Sequence, residues 1–420
     1  MTDVMSVAAI RAEFPALERR HAGKLVAYFD GPGGTQVPRT VVDAMTDYLT
    51  RHNANTHWLY PSSVETDALV LGARQVFAAF MNGVPEEIVF GNNMTTLTFH
   101  VARALGRGWH AGDEVIVTEL DHHANLAPWQ ALARERGIVL KWLPLDLERY
   151  RLRLDLLPAL LGPRTRLLAI GAASNALGTI SDVAAAATLA RAAGALVYVD
   201  GVHYAPHVLP DVQALGCDFF ACSSYKFFGP HAGILWGRRG LLESLDVPKL
   251  EPAPNQAPDR LETGTQNHEG IIGAAAAVQW LASLAGSSGT LRSRLTRTYQ
   301  ALKQREAALF SRLWNGLGEL PGLTRYGPLP DSPRTATVSF TVRGRPASEI
   351  ARGLVEHACF VSNGDFYATT VARRLGVAAE GFVRLGAACY TTEEEVDRVV
   401  TGVARLGERR GIVGSSASQA

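Results

Sequence analysis

Val197-Tyr198-Val199-Asp200-Gly201-Val202-His203 and, further on, Cys217-Asp218-Phe219-Phe220-Ala221-Cys222-Ser223-Ser224-Tyr225-Lys226 are two short apolar runs, one closing on a carboxylate and the other leading into a lysine. Neither run alternates apolar with polar residues, as a strand does when it belongs to a sheet covered on both faces. The same design precedes them. Helix 64–81 leads to strand 87–90, helix 95–105 to strand 114–117, and helix 126–136 to strand 139–142; strand 167–170 is followed by the alanine-rich helix 182–192, which Gly194 stops. Repeated helix–strand alternation predicts a mainly parallel α/β sheet with helices on both sides. In such sheets ligands lie beyond the carboxyl ends of the strands, where Asp200 and Lys226 fall.

The composition is that of an ordinary globular protein. With 41 basic and 40 acidic residues in 420, nothing in the charge balance asks for nucleic acid or an anionic membrane as partner. No run is apolar for the 18 or so residues that a membrane span needs, and Asp3, Arg11 and Glu13 interrupt what would have to be a signal peptide, so the cytoplasm is the expected location. Cys217, Cys222, Cys359 and Cys389 form no CxxC pair and sit in or beside apolar runs, which favours buried inert thiols over disulfides or zinc.

Residues 1–25 open with a helical pattern (Val7, Ile10, Phe14, Leu17) and are expected to form an arm packed on the body. A strand at 26–30 then breaks at Gly31-Pro32-Gly33-Gly34-Thr35, where the backbone can approach a ligand or another chain closely or simply turn. The large domain is expected to run over 26–285. After Ala285-Gly286-Ser287-Ser288-Gly289 a helix over 290–313, strands over 335–342, 360–362 and 382–385, and helices over 347–356 and 392–408 predict a smaller α+β domain over 286–410. Thr392 and Glu395 stand in capping-box spacing ahead of Val396, Val399, Val400, Val403 and Leu406 on one helix face. Residues 411–420 are small and polar and are expected to be a flexible tail.

Several strand ends carry groups that a single ligand could use. Asn93-Met94-Thr95-Thr96 lies between a strand and a helix, where free amides and hydroxyls suit a phosphate, although a threonine there can also be only a helix cap. In Asp121-His122-His123-Ala124-Asn125 an imidazole could lie flat on an aromatic ring; no third ligand nearby supports a metal. Asn175 offers an amide to a phenolic oxygen. Asp200 can keep a ring nitrogen protonated, and Lys226 can bond covalently to an aldehyde. Taken alone, Asp200 and Lys226 read more readily as a salt bridge or as two unrelated charges at strand ends. Together with the phosphate seat and the ring platform they match pyridoxal 5'-phosphate (PLP).

These motifs resemble the class V aminotransferase family, in its cysteine desulfurase-like branch of fold type I PLP-dependent enzymes. The resemblance runs from Tyr28-Phe29-Asp30-Gly31-Pro32-Gly33-Gly34 through Asp121–Asn125, Ser174-Asn175, Asp200–His203, Ser223–Lys226 and Glu262-Thr263-Gly264-Thr265 to Val383-Arg384-Leu385 and Tyr390-Thr391-Thr392. It implies a fold type I transferase, with a large lobe around a mainly parallel sheet of seven-stranded type and a smaller α+β C-terminal lobe. Lys226 would carry the cofactor, Asp200 would pair with its ring nitrogen, His122 would stack on the ring, and Asn175 and His203 would lie near the ring hydroxyl. Phosphate would be held by Met94, Thr95, Ser223 and Tyr225, with Thr265 reaching in from the other subunit of a homodimer. Arg384 would grip the substrate carboxylate, a task suited to a planar guanidinium, with Asn55, His57 and Tyr367 near the substrate.

The sequence departs from the desulfurase pattern in three places. His203 replaces a glutamine and Tyr225 a histidine. The loop that carries the sulfur-accepting cysteine in desulfurases reads Asn363-Gly364-Asp365-Phe366-Tyr367-Ala368 and has none. Cys359 lies before it in or beside a strand, and strand parity places Cys389 on the face opposite Arg384. The leading expectation is a carbon–sulfur lyase that works by β-elimination without a protein persulfide, with Tyr367 or His57 assisting the leaving group. Transamination or racemisation of an amino acid is the alternative. A catalytically idle PLP-binding or sulfur-relay protein is a third reading, against which the set of Lys226, Asp200, His122 and Arg384 stands.

Overall fold

The expected apolar strands come together in one sheet. In the structure, a computed structural model that describes residues 4–408, seven strands form it: β1 (Ile88–Gly91), β2 (Glu114–Thr118), β3 (Val139–Leu143), β4 (Thr165–Gly171), β5 (Leu196–Asp200), β6 (Phe219–Ser223) and β7 (Gly233–Gly237). Their order across the sheet is β1-β7-β6-β5-β4-β2-β3. Only β7 runs against its neighbours, pairing antiparallel with β6 and β1; the other pairs are parallel. The α/β reading is therefore borne out.

Strand parity explains why both faces had to be apolar. Val197 and Val199 of β5 join one core with Phe220 and Cys222 of β6. Tyr198 joins the opposite core with Phe219 and Ala221. β7 was not anticipated from sequence: its Gly-Ile-Leu-Trp-Gly run is short and glycine-bounded. The helix His268–Ser283 was missed for a related reason. It is buried nearly all round, so it has no polar face to set a helical period.

A second sheet, β8 (Leu323–Tyr326), β9 (Thr337–Val342), β10 (Ser362–Gly364) and β11 (Phe382–Gly386), is antiparallel throughout, in the order β8-β9-β11-β10. The expected strand over 360–362 is in fact two pieces. Cys359–Phe360 pairs with Ala27–Tyr28, and β10 begins only at Ser362. Helix Glu393–Glu408 packs its Val396, Val399 and Val403 into this lobe's core. Its capping box forms as read: the Thr392 N–H donates to Glu395 Oε2 at 3.0 Å, and the Glu395 N–H donates to Thr392 Oγ1 at 3.2 Å.

The two cores are tied together by shared elements. Helix Leu291–Gly318 contributes Leu295, Tyr299 and Leu302 to the large core and Leu309, Phe310, Leu313 and Leu317 to the small one. Ala27 and Phe29, expected in the large domain, are buried in the small lobe's core. At the N-terminus the ring of Phe14 meets Phe228, Trp280 and Tyr390 edge-on, and Arg11 pairs with Glu395 at 3.0 Å. The tail expected over 411–420 lies outside the described residues. Among those described, no helix is long and apolar enough to cross a membrane.

Candidate active site

β5 ends at Asp200 and β6 at Ser223, and register places Asp200 beside Gly171 of β4 and Ala221 of β6. The carboxyl ends of these strands open on a cavity of about 570 Å³ lined by Met94, Thr95, His122, Asn175, Asp200, His203, Ser223, Tyr225 and Lys226, with Asp121 and His231 also on its wall. A second cavity of about 480 Å³ adjoins it and shares Thr95, His122, Asn175, Tyr225 and Lys226; Arg384, Phe366 and Tyr367 line its far side. The fold thus brings together nearly every candidate residue.

The phosphate end is built from a helix N-terminus. Asn93, rather than a threonine, caps the helix Met94–Gly106: its Oδ1 accepts from the Thr96 N–H at 2.9 Å. The Met94 N–H donates to Ser223 Oγ at 3.0 Å, which fixes that hydroxyl at the cavity floor. Thr95, facing both cavities, is left for a ligand. Tyr225 stacks on His231, with ring centroids 4.8 Å apart.

Asp200 and Lys226 do not form the salt bridge that their pairing alone would allow. Asp200 Oδ1 accepts from the Val202 N–H at 2.9 Å. Lys226 Nζ instead donates to the carbonyls of Pro32 and Gly33, the latter at 2.9 Å, and lies 4.9 Å from the Tyr225 ring centre. The glycine cluster at 31–34 therefore approaches the lysine of its own chain. Burial pushes the Asp200 carboxyl up to about 6, despite the Val202 N–H and the nearby Lys226. Burial, with the Arg384 cation, brings the Lys226 amine down to about 7. A second carboxyl, Asp121, is raised well above its usual range by burial and by Asp200. It sits so close to Gly171 that a Cβ there would lie 2.3 Å from its Oδ1.

Burial keeps the imidazoles of His122 and His203 neutral. Burial and the Lys226 and Arg384 cations lower His122 to about 4. Its Nδ1 accepts from the Ala124 N–H at 3.0 Å, which leaves the proton on Nε2. His203 is buried at 3% exposure, with Nε2 at 3.0 Å from Thr335 Oγ1 and 3.1 Å from Thr337 Oγ1. Among the described residues its Nδ1 and the Oδ1 of Asn175 are buried without a partner. Both residues line the Lys226 cavity. An orphaned buried polar atom is costly unless a ligand completes it. A pyridine ring with a phenolic hydroxyl and a phosphate fits this set: the Asp200 carboxylate can accept from the protonated ring nitrogen, the unpartnered Asn175 Oδ1 and His203 Nδ1 can face the phenolic O–H, and a helix end suits the phosphate.

Arg384 lies in the middle of β11, not at a strand end, and is 3% exposed. Nη1 donates to the Asn175 carbonyl at 3.1 Å, and Nη2 to Asp30 Oδ1 and Ser362 Oγ, both at 3.2 Å. The Phe366 ring lies over the guanidinium at 3.9 Å. Asp30, Asp121 and Phe366 were not singled out from sequence for these positions, since only folding brings residues 30 and 384 together.

Three candidates lie elsewhere. Asn55 and His57 line neither cavity; the Asn55 carbonyl accepts from Ser63 Oγ, and His57 is exposed and pairs with Asp67. Thr265 is exposed and lines a different hollow beside Thr96, His100 and Gln266. Strand parity does not govern Cys389 either, because it falls beyond β11, in a buried turn.

All four cysteines are buried, and none lines the Lys226 cavities. Burial raises every thiol, Cys359 to about 11 and Cys217 to about 12, with Cys222 and Cys389 raised further.

The aminotransferase class-V family model matches residues 27–399. The chain belongs to the class V aminotransferase family. Members of this family are PLP-dependent enzymes. Among curated relatives, a cysteine desulfurase of Klebsiella pneumoniae (strain 342) is 36% identical over 417 residues, covering 96% of this chain and 98% of the relative. A probable cysteine desulfurase of Pseudomonas putida is 36% identical over 92% of this chain and 95% of its own. The solved cysteine desulfurase CsdA of Escherichia coli superposes with a TM-score of 0.83 at 31% identity, over 96% of this chain and 98% of its own. The apo cysteine desulfurase of Thermococcus onnurineus NA1 gives 0.87 at 28% identity, over 97% and 100%. The fold type I expectation holds at full length for this class V protein.

Proposed function

We propose that this class V enzyme binds PLP through Lys226 and cleaves the carbon–sulfur bond of a cysteine-type amino acid by β-elimination, with no persulfide on the protein. The observation that carries the reading is one cavity system that joins Lys226, Asp200 and Arg384 and is lined by no thiol. His122 would cover the ring, Asp200 would hold the proton on its nitrogen, and Thr95, Ser223 and the Met94 helix end would seat the phosphate. When bound, PLP supplies an electron sink for the charge left at the substrate Cα.

Arg384 receives the substrate carboxylate as a fixed fork, its plane set by Phe366 and its far side by Asp30. Lys226 Nζ, its proton affinity lowered by burial and the Arg384 cation, takes the Cα proton. The Cα–H electron pair becomes the Cα=Cβ bond as the Cβ–S pair leaves with sulfur, and Lys226 returns its proton to that sulfur. His57, outside the cavity in this chain, plays no part from within the subunit.

We also infer a homodimer. Trp58 and Leu59 are 60% and 99% exposed, beside exposed Tyr60, Val64 and Leu71. A patch of this kind marks an association surface, and Asn55, His57 and Thr265 could then serve the neighbouring subunit.

Holoenzyme given L-cysteine and cysteine thioethers is expected to release sulfide or thiol and aminoacrylate, which water hydrolyses to pyruvate and ammonia, while the protein mass stays free of added sulfur. Absence of both thiol and pyruvate from every thioether overturns the lyase reading. Solvent deuterium at Cα with the side chain retained would redirect it to racemisation, and accumulation of the pyridoxamine form to transamination.

A pH dependence follows from the lysine. Only the neutral amine attacks an aldehyde, so PLP uptake by cofactor-free protein should rise through about pH 7 and level off above it. The visible absorbance of bound cofactor against pH checks this, and a midpoint near 10 would show an ordinary, solvated amine.

A further inference from the structure

The loop after β10 places two aromatic residues, Phe366 and Tyr367, on the wall of the cavity that Lys226 and Arg384 also line. Phe366 and Tyr367 both hold φ +56°, in the left-handed region that non-glycine residues seldom occupy. Consecutive residues persist there only when their surroundings fix them, and such strain gathers at ligand clamps. The anchors are specific. Asn175 Nδ2 donates to the Phe366 carbonyl at 2.9 Å, the His123 N–H to the Tyr367 carbonyl at 2.7 Å, and the Tyr367 N–H to Asp365 Oδ1 at 3.0 Å. Two of these anchors come from the strand-end loops that build the site itself.

The result is a wall. The Phe366 ring lies on the Arg384 guanidinium, and the Tyr367 ring stands 5.5 Å from that of His122, tilted by 44°. Tyr225, Ala124, Ala127 and Pro32 are further lining residues of the cavity of about 480 Å³ at Lys226, alongside the polar Thr95, His123 and Asn175. That volume is in the range of about 300–1,000 Å³ that encloses drug-sized ligands, and its far side, at Phe366, Tyr367 and Arg384, lies beyond the residues it shares with the adjoining cavity. Tyr367 is 70% exposed at the mouth, so an aromatic face waits to be covered.

We propose that Phe366 and Tyr367 are specificity-determining residues that select an amino acid with an aromatic or other bulky apolar side chain. On the lyase reading above, on which this naming of the substrate rests, that amino acid is an S-aryl- or S-benzyl-type cysteine conjugate. Arg384 fixes the carboxylate, so the β-substituent must pass along the two rings, and cysteine itself would leave the wall wet.

The test separates binding from cleavage. Holoenzyme is titrated with L-phenylalanine and L-alanine, which carry no leaving group, and affinities are read from the change in cofactor absorbance. Phenylalanine is expected to bind at least about tenfold more tightly than alanine, the scale of burying and stacking one ring. Tyr367→Ala should remove most of that preference while changing alanine affinity less than about threefold, and Tyr367→Phe should retain it. S-benzyl-L-cysteine should show a correspondingly lower KM than L-cysteine. Equal affinity for phenylalanine and alanine, or an equal loss of both in Tyr367→Ala, overturns the proposal. If the preference for phenylalanine holds while no conjugate is cleaved, the aromatic wall stands and the lyase reading falls.

Discussion

Lys226→Ala is expected to leave the enzyme colourless with PLP and to cut turnover by roughly 10⁴-fold or more, the upper range for loss of a positioned general base. The same amine is asked to hold the cofactor and to move the Cα proton, so both functions vanish together. Its position is fixed by the Pro32 and Gly33 carbonyls, and no other lysine lines either cavity. Lys226→Arg is the informative companion. It keeps a cation in the cavity but has no amine that can deprotonate near neutral pH, so it should be as inactive as the alanine variant. Activity within tenfold of wild type in either variant would remove Lys226 from the chemistry.

Asp200→Asn should reduce kcat by about 10²–10⁴, because removing one partner of a buried charge pair costs roughly 3–5 kcal/mol. The substitution is nearly isosteric, and the amide oxygen can still accept from the Val202 N–H, so the loss would report charge and not shape. Without cofactor the effect on stability has the opposite sign. Folding raises the Asp200 carboxyl from 3.8 to about 6, so the folded chain is the one that prefers the proton. Wild-type stability from this group is therefore lost as pH rises from about 4 through 6 and stays lost above. Cofactor-free Asp200→Asn should be the more stable protein at pH 8, by on the order of 3 kcal/mol, and equal to wild type below pH 4. Urea unfolding at the two pH values checks this. A variant less stable than wild type at pH 8 would mean that the carboxylate already has a partner in the cofactor-free chain.

Much of this site could be read directly along the chain, for a physical reason. In a parallel sheet every strand end is a sequence position just after an apolar run, so Asp200, Ser223, Lys226, His122 and Asn175 each announce themselves locally. The capping box of Thr392 and Glu395 is legible for the same reason, since both partners lie within one turn. Burial on all sides erases such signals. The helix His268–Ser283 has no polar face to set a period, and β7 follows β6 with no α-helix between them, so the helix–strand alternation does not mark it.

The order of helices and strands, the covered sheet and the residues at its carboxyl edge were thus determined by sequence, because hydrophobic period and strand termination are local properties. Only the tertiary structure decided that Asp30 meets Arg384, that Lys226 rests on the Pro32 and Gly33 carbonyls rather than on Asp200, and that Phe366 lies on the Arg384 guanidinium and joins Tyr367 on the cavity wall. These contacts join residues distant along the chain, so no spacing encodes them. They depend on how the small lobe's β10 and β11 are set against the strand ends of the large one.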